Sequence, residues 1–221
     1  MVSGMKEEKQ LHKRAYEYIK KMILDDELEE NEVYSETKIA GEIGVSRTPM
    51  RDAIHRLVQE GYIDIIPSRG FILHRMTVQD VEDTFQVRSA IEGYCALWIA
   101  GESESRKAKE LFEKLDFALQ KQKEIARTTG NIFEFVRWDN RFHILIVEYL
   151  QNEAFNQMFS KYVHRMKRLA ASSLAHAGRM EMTLSEHEAI LNDMRKGRTD
   201  QVYQTMLVHM ETPKGMNLED L

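Results

Sequence analysis

The sequence predicts a mainly α-helical protein, with an N-terminal winged helix-turn-helix that carries a small β-wing and a C-terminal all-α antiparallel bundle of six or seven helices. Three observations lead to this prediction. Residues 46–60 place apolar side chains at helical spacing, and two short β-rich runs follow at 62–66 and 71–73. From Thr77 onward apolar residues recur at helical spacing alone, with short connections between the segments.

Composition sets the size of the core and the expected compartment. A chain of 221 residues with 43% apolar content can bury one substantial core and a smaller one, which favours two domains. We expect a disordered N-terminus at 1–10, a winged helix-turn-helix domain at 11–75 and a helical domain at 76–221. The sequence has no run long enough to cross a membrane and no signal peptide, and its single cysteine, Cys95, lies among apolar residues. These features predict a cytoplasmic protein with a buried core thiol.

The segment around residue 46 has the pattern of a DNA recognition helix. Ser46 is a suitable N-cap and Pro49 falls in the first turn, so a helix should begin here and run to Glu60. Apolar residues at helical spacing should face the core: Met50, Ile54, Leu57 and Val58. The exposed first turn and a half would present Arg47, Thr48 and Arg51. An arginine at this place can make a bidentate contact with guanine in the major groove.

The flanking residues supply the rest of a winged helix-turn-helix. Ser35 can cap a short helix at 36–42, and Gly44 closes the turn. Downstream, the runs 62–66 and 71–73 should pair as a wing with Arg69 at its tip. We expect Gly70 to adopt a positive φ or to allow a close approach of backbone to phosphate.

The overall net charge argues weakly against nucleic-acid binding, whereas the local charge of the predicted DNA-binding segment favours it. The formal net charge of −5 is unlike the basic excess that is usual for such proteins. Residues 46–75 nevertheless contain five arginines against three carboxylates, a small basic surplus on the predicted DNA-binding face.

The second half predicts a succession of capped helices. Thr77 and Asp80 form a capping-box pattern at the start of a long helix that should break near Gly93. Candidate caps for the later helices are Ser103 or Ser105, Asn131, Asn152, Thr183 or Ser185, and Thr199 or Asp200. The last helix should end before Pro213.

Four residues of the predicted bundle suit a metal ion. Asp139 and His143 are four residues apart, so both side chains lie on one face of a helix. His187 and His209 lie on the last two predicted helices. Three histidines and one carboxylate suit a divalent transition metal, with zinc as the first candidate and nickel or manganese as alternatives. Such a site retains positive charge and would accept an anionic ligand in an open coordination position.

Two stretches resemble known families. The run Gly-Val-Ser-Arg-Thr-Pro-Met-Arg at 44–51 resembles the winged helix of GntR regulators, whose fixed positions it matches. The runs 139–143 and 186–190, together with Asn152 and His209, resemble the FCD ligand-binding domain of the FadR branch of that family. The second resemblance implies that Asp139, His143, His187 and His209 hold a metal beside a small organic acid. It also implies that Arg88 binds the carboxylate of this effector.

Together these patterns predict a transcription regulator and not an enzyme. We expect a homodimer that binds a palindromic double-stranded DNA operator and responds to the organic acid. One alternative is a regulator for which the metal itself is the signal. Another is a metal-dependent enzyme, because a site with three histidines and a carboxylate can activate water. The sequence shows no general base for that reaction.

Overall fold

The computed structural model describes residues 2–24, 27–29 and 31–221, with side chains described from Gln10 onward. The chain divides into two compact units, Met1–Met76 and Thr77–Leu221. The prediction of a mainly helical protein with a small two-stranded wing is confirmed.

The first unit has the element order of a winged helix-turn-helix. Its elements are α1 (Val2–Leu24), α2 (Glu36–Glu42), α3 (Arg47–Gln59), β1 (Ile63–Ile66) and β2 (Gly70–Leu73). The two strands pair antiparallel, with Ile63 opposite Leu73 and Ile66 opposite Gly70. Side chains from all three helices and the wing form one core, which includes Ile19, Ile39, Leu57, Ile63 and Phe71.

Two details of this unit differ from the sequence prediction. Helix α1 begins at Val2 and not near Leu11, because the run of lysine, glutamate and glutamine at 6–10 has high helix propensity. The side chains of 1–9 lie outside the described residues. Ser35 caps α2 as predicted, accepting a hydrogen bond from Lys38 N, but the side chain of Ser46 makes no capping bond to α3.

Residues 77–221, which the structure describes throughout, form six helices. These are α4 (Val78–Gly101), α5 (Arg106–Thr128), α6 (Ile132–Glu148), α7 (Glu153–Leu174), α8 (Arg179–Arg195) and α9 (Val202–Glu219). The predicted capping box of Thr77 and Asp80 is present, and Ser105, Asn131 and Asn152 cap α5, α6 and α7. Cys95 is fully buried, and burial raises the pKa of its thiol to about 12.

Helix α4 does not break at Gly93. A Cβ at this position would lie 2.6 Å from the ring of Tyr203 on α9. Glycine therefore lets α9 approach α4, and the gain from packing the two helices exceeds the cost of a glycine in a helix interior.

Helix α9 continues through Pro213, contrary to the prediction that it ends there. The following turn is held by Asn217, whose Nδ2 donates to the carbonyl oxygens of Pro213 at 2.7 Å and of Leu169 on α7 at 3.1 Å. These tertiary contacts stabilise a turn that the local sequence disfavours.

Helix α8 begins at Arg179, earlier than either predicted cap. Gly178 adopts a φ of 75° immediately before it, which reverses the chain after α7. Thr183 is inside the helix, where its hydroxyl donates to the carbonyl oxygen of Arg179 at 2.9 Å.

Candidate DNA-binding and metal-binding sites

A groove in the first unit brings together arginines from α3 and from the wing. It encloses about 620 Å³ and is lined by Arg47 and Arg51 of α3 and by Arg69 and Gly70 of the wing. The three arginines are exposed. Ser46 and Thr48 are also exposed at the start of α3, but they do not line this groove. The arrangement can offer positive charge to a phosphate backbone and guanidinium groups to base edges.

Several residues of this groove were not predicted from the sequence to lie on the DNA-binding face. They are Ser35, Glu36, Thr37, His55 and Ser68. The position of His55 could have been inferred, because it lies four residues after Arg51 and so shares its helical face. The position of Ser68 could not have been inferred from its spacing, because it depends on the turn of the wing, where Ser68 adopts a φ of 61°.

Gly70 has the positive φ that was expected, at 134°, but the close approach is made within the protein. A Cβ at Gly70 would lie 2.0 Å from the carbonyl oxygen of Tyr34. Tyr34 and Phe71 exchange two backbone hydrogen bonds beside it, at 2.8 and 3.0 Å. Gly70 is therefore required for the segment before α2 to pack against the wing.

In the second unit the three predicted histidines converge from three helices. The Nε2 atom of His143 on α6 lies 3.2 Å from Nε2 of His187 on α8 and 3.3 Å from Nε2 of His209 on α9. Oδ1 of Asp139 lies 3.6 Å from Nε2 of His187 and 4.0 Å from Nε2 of His143. All four side chains are buried. The structure therefore brings together residues that are far apart in sequence.

Each histidine directs its other ring nitrogen at a side-chain oxygen. Nδ1 of His143 donates to Glu92 at 2.5 Å, and Nδ1 of His209 donates to Glu186 at 2.7 Å. Nδ1 of His187 faces Oε1 of Gln122 at 3.0 Å. Since carboxylate and amide oxygens accept hydrogen bonds, these contacts favour the tautomer with a proton on Nδ1 and a lone pair on Nε2.

Two arginines complete this network. Nε of Arg88 donates to Glu92 at 2.8 Å, and Arg179 makes a bidentate pair with Glu186 at 2.7 and 2.8 Å. Both arginines are buried. The predicted effector residue Arg88 is thus linked to His143 through Glu92, which its guanidinium holds in place.

Four residues of this network were not predicted from the sequence as part of the site: Glu92, Gln122, Arg179 and Glu186. The spacing of Glu92, four residues after Arg88, would have allowed an ion pair to be predicted. Gln122 and Arg179 give no local signal, because their roles depend on how α5 and α8 pack on the other helices.

The protonation states of the site follow from its burial. Burial lowers the pKa of His143 and His187 well below the usual value and lowers that of His209, so the rings are neutral at pH 7. Burial raises the pKa of Asp139 to about 7, although the nearby Arg88 opposes this. Burial also opposes ionisation of Glu186, but hydrogen bonds from His209 and Arg179 outweigh it and lower its pKa.

The donor set fits a divalent metal ion. If the three rings are neutral and carry their protons on Nδ1, the lone pairs of their Nε2 atoms point at one another. No hydrogen bond can then form between these Nε2 atoms, because none of them carries a proton. Two nitrogen ligands of a tetrahedral zinc ion lie about 3.3 Å apart, given bond lengths of about 2.0–2.1 Å. The observed separations of 3.2 and 3.3 Å match this spacing. In protein metal sites, the histidine ring nitrogen that does not bind the metal usually donates a hydrogen bond to an oxygen acceptor. Nδ1 of each histidine faces a carboxylate or amide oxygen in this way.

Comparison with known proteins assigns both units. Residues 11–73 match the family model for bacterial regulatory proteins of the gntR family, and residues 83–212 match the FCD domain. The fold therefore defines a winged helix-turn-helix regulator with a helical C-terminal domain. The chain belongs to the GntR family of transcription regulators that carry an FCD domain, and it is a DNA-binding transcription regulator.

Relatives and solved structures are consistent with this family. The chain is 25% identical over 194 residues to the HTH-type transcriptional regulator YdhC of Bacillus subtilis, covering 88% of this chain and 85% of that protein. It is 27% identical over 177 residues to the HTH-type transcriptional repressor RspR of Escherichia coli, covering 80% and 75% of the two chains. A GntR regulator from Rhodococcus sp. RHA1 superimposes with a TM-score of 0.75 at 16% identity, covering 95% of this chain and 98% of that chain.

One structural neighbour is described as the metal-free FCD domain of TM0439. It has a TM-score of 0.51 and 15% identity, and covers 66% of this chain and 96% of that chain. These matched families and relatives are transcription regulators and not enzymes. Among the described residues, no helix is long and apolar enough to cross a membrane.

Proposed function

We propose that this regulator controls its affinity for DNA through a small organic acid bound beside a divalent metal ion in the second unit. Residues 11–75 would bind the operator and residues 76–221 the metal and the effector. Asp139, His143, His187 and His209 would be the metal ligands, with zinc as the first candidate. Arg47, Arg51 and Arg69, supported by Ser46, Thr48 and Gly70, would form the DNA contact.

The convergence of three Nε2 atoms within a buried site carries this proposal. Each imidazole is neutral and is oriented through its Nδ1 by a buried or partly buried acceptor. When bound, a divalent ion would supply a Lewis-acidic centre to which an effector carboxylate can bind. Arg88 lies beside this centre and contributes positive charge.

The path from the metal site to DNA begins at α4. This helix follows the wing directly in the chain, since β2 ends at Leu73 and α4 begins at Val78. Glu92 of α4 accepts a hydrogen bond from His143, so a change at the metal site acts on α4 itself. A ligand that favours one arrangement of α4 would shift the population of DNA-binding states.

A homodimer on a palindromic operator is part of the same proposal. A single recognition helix covers few base pairs, and two copies at a fixed spacing multiply specificity. The effector would then act by changing the spacing of the two recognition helices.

The test is operator binding by the full chain in three states: treated with chelator, loaded with zinc, and loaded with zinc in the presence of a panel of organic acids. We expect the acids to change operator affinity only in the zinc-loaded protein. A change caused by zinc alone, with no further effect of any acid, would instead favour a metal-responsive regulator. Equal operator affinity in all three states would contradict control through this site.

A further inference from the structure

His55 lies in the groove of the first unit that is proposed to contact DNA. It follows Arg51 by four residues on α3, so both side chains occupy one face of the helix, and it lines the groove together with Arg47, Arg51 and Arg69. The His55 side chain is exposed. Among the residues that the structure describes, its imidazole has no hydrogen-bond or ion-pair partner. Both ring nitrogens are therefore available to a ligand in the groove.

The other two histidines of this unit differ from His55, because each of them faces a carboxylate. Nδ1 of His12 on α1 lies 3.2 Å from Oδ2 of Asp52, which is one turn before His55 on α3. Nδ1 of His74 lies 2.9 Å from Oδ2 of Asp64. Neither His12 nor His74 lines the groove. A positive charge on either ring is balanced within the protein, whereas a positive charge on His55 would face the groove.

The charged groups that line the groove with His55 come from α2, α3 and the wing. Arg47 and Arg51 of α3 and Arg69 of the wing are positive, Glu36 of α2 is negative, and β1 adds two isoleucines. In the free protein, three positive charges oppose a fourth one in the groove, and one carboxylate favours it. A bound DNA backbone reverses this balance, because its phosphates attract a charged imidazole.

We propose that the protonated imidazole of His55 contacts a phosphate of the operator, so that DNA binding takes up one proton at each recognition helix. This proposal rests on the proposed DNA contact through the groove and adds a pH-dependent residue to it. Histidine side chains change their charge at about pH 6.5, so modest changes of pH alter the charged fraction. Each charged contact with a phosphate also releases a counterion, so DNA binding should depend more steeply on salt when His55 is protonated.

The first measurement is the affinity of the full chain for DNA as a function of pH. The probe is the double-stranded sequence that the wild-type protein selects from a random pool, and its binding is measured at about pH 6 and about pH 8 over a range of salt concentrations. We expect binding to be at least about tenfold tighter at the lower pH. The plot of log affinity against log salt should be steeper there by about one per half-site. Equal affinity at both pH values would overturn the proposal.

Two substitutions at His55 separate its charge from its shape. His55→Gln removes the titrating group, so at both pH values this variant should bind as wild type does at the higher pH. His55→Lys fixes the positive charge, so at the higher pH it should bind as tightly as wild type does at the lower pH. The matched control is His74→Gln, which removes a histidine of the same unit that does not line the groove and should keep the pH dependence of wild type.

Arg51→Ala, measured beside these variants, separates failure of the proposal from failure of the groove assignment. If Arg51→Ala loses affinity but His55→Gln keeps the full pH dependence, the proton is taken up elsewhere and the proposal is wrong, while the proposed DNA contact stands. If neither variant differs from wild type at either pH, the groove does not contact DNA and both are wrong.

Discussion

At the scale of single residues, the proposed ligand contacts and the side chains that would hold them in place are different residues. Arg51 is exposed beside the groove of the first unit. Glu92 is fully buried and accepts hydrogen bonds from both Arg88 and His143. A change at Arg51 should therefore affect binding alone, whereas a change at Glu92 should act through the orientation of His143.

Arg51→Ala should weaken specific operator binding without changing the melting temperature. The loss of a bidentate guanine contact costs roughly 1–3 kcal/mol in each half-site. Operator affinity at fixed salt is the measurement. Arg106→Ala, an exposed arginine of the second unit, is the charge-matched control. If both variants bind the operator like wild type, α3 does not read bases through Arg51.

Glu92→Gln should lower zinc affinity by about 10–100-fold, the usual effect of removing a carboxylate that orients a histidine ligand. The amide is a weaker acceptor for Nδ1 of His143 and leaves the charge of Arg88 unbalanced. Zinc affinity is measured by competition with a chelating dye. Glu110→Gln, at an exposed position of α5, should retain the wild-type affinity. Equal zinc affinity in both variants would mean that Glu92 does not position His143.

At the scale of secondary-structure elements, packing in the first unit depends on how closely two backbone segments can approach each other. The segment before α2 contacts β2 through the Tyr34 and Phe71 backbones, and Gly70 leaves room for it. Helix α1 is joined to the end of α3 by a hydrogen bond of 2.5 Å from the Tyr16 hydroxyl to Glu60.

Gly70→Val should unfold or loosen the first unit as well as weaken DNA binding. The new Cβ would overlap the carbonyl oxygen of Tyr34, and valine disfavours a φ of 134°. Thermal unfolding should show a lower transition for the first unit, with the transition of the second unit unchanged. Gly44→Ala is the matched control: its φ is also positive, but a Cβ there meets nothing within 4 Å. A Gly70→Val variant with unaltered melting would contradict this packing role.

The contact between α1 and α3 should make the first unit sensitive to acid. Burial opposes ionisation of Glu60, but hydrogen bonds from Tyr16 and Arg56 outweigh it and lower the pKa of this carboxyl group. A carboxyl group whose pKa is lower in the folded protein than in the unfolded chain contributes stability at pH values above its unfolded pKa. This contribution is lost as the pH falls through the folded pKa. Glu60→Gln should be less stable than wild type at pH 7, and the difference should shrink toward pH 3. A difference that is independent of pH would exclude this linkage.

At the scale of the whole molecule, the proposed metal site joins helices that are remote in sequence. Its predicted ligands come from α6, α8 and α9, and its hydrogen-bond acceptors come from α4, α5 and α8. An ion at this position would therefore stabilise the second unit as well as create a place for an effector.

Removal of the metal should lower the melting temperature of the second unit, and zinc should restore it. The stabilisation by a ligand that binds only the folded state grows with its free concentration, so the melting temperature should rise with added zinc. The double variant His187→Ala, His209→Ala should contain no stoichiometric metal and should not respond to zinc. His176→Ala, at an exposed histidine outside the site, is the control. A wild-type protein that purifies without metal and is not stabilised by zinc, nickel or manganese would contradict the metal site.

The sequence by itself determined the fold class, most helix starts and the metal-ligand candidates, because these depend on local signals. Caps such as Ser35, Asn131 and Asn152 satisfy backbone groups within one turn, and the spacing of Asp139 and His143 is a property of a single helix. Only the tertiary structure decided where packing overrides those signals. Helix α9 passes through Pro213 because Asn217 binds α7, and Gln122 faces His187 because α5 packs against α8. Such contacts join residues far apart in the chain, so no local pattern encodes them.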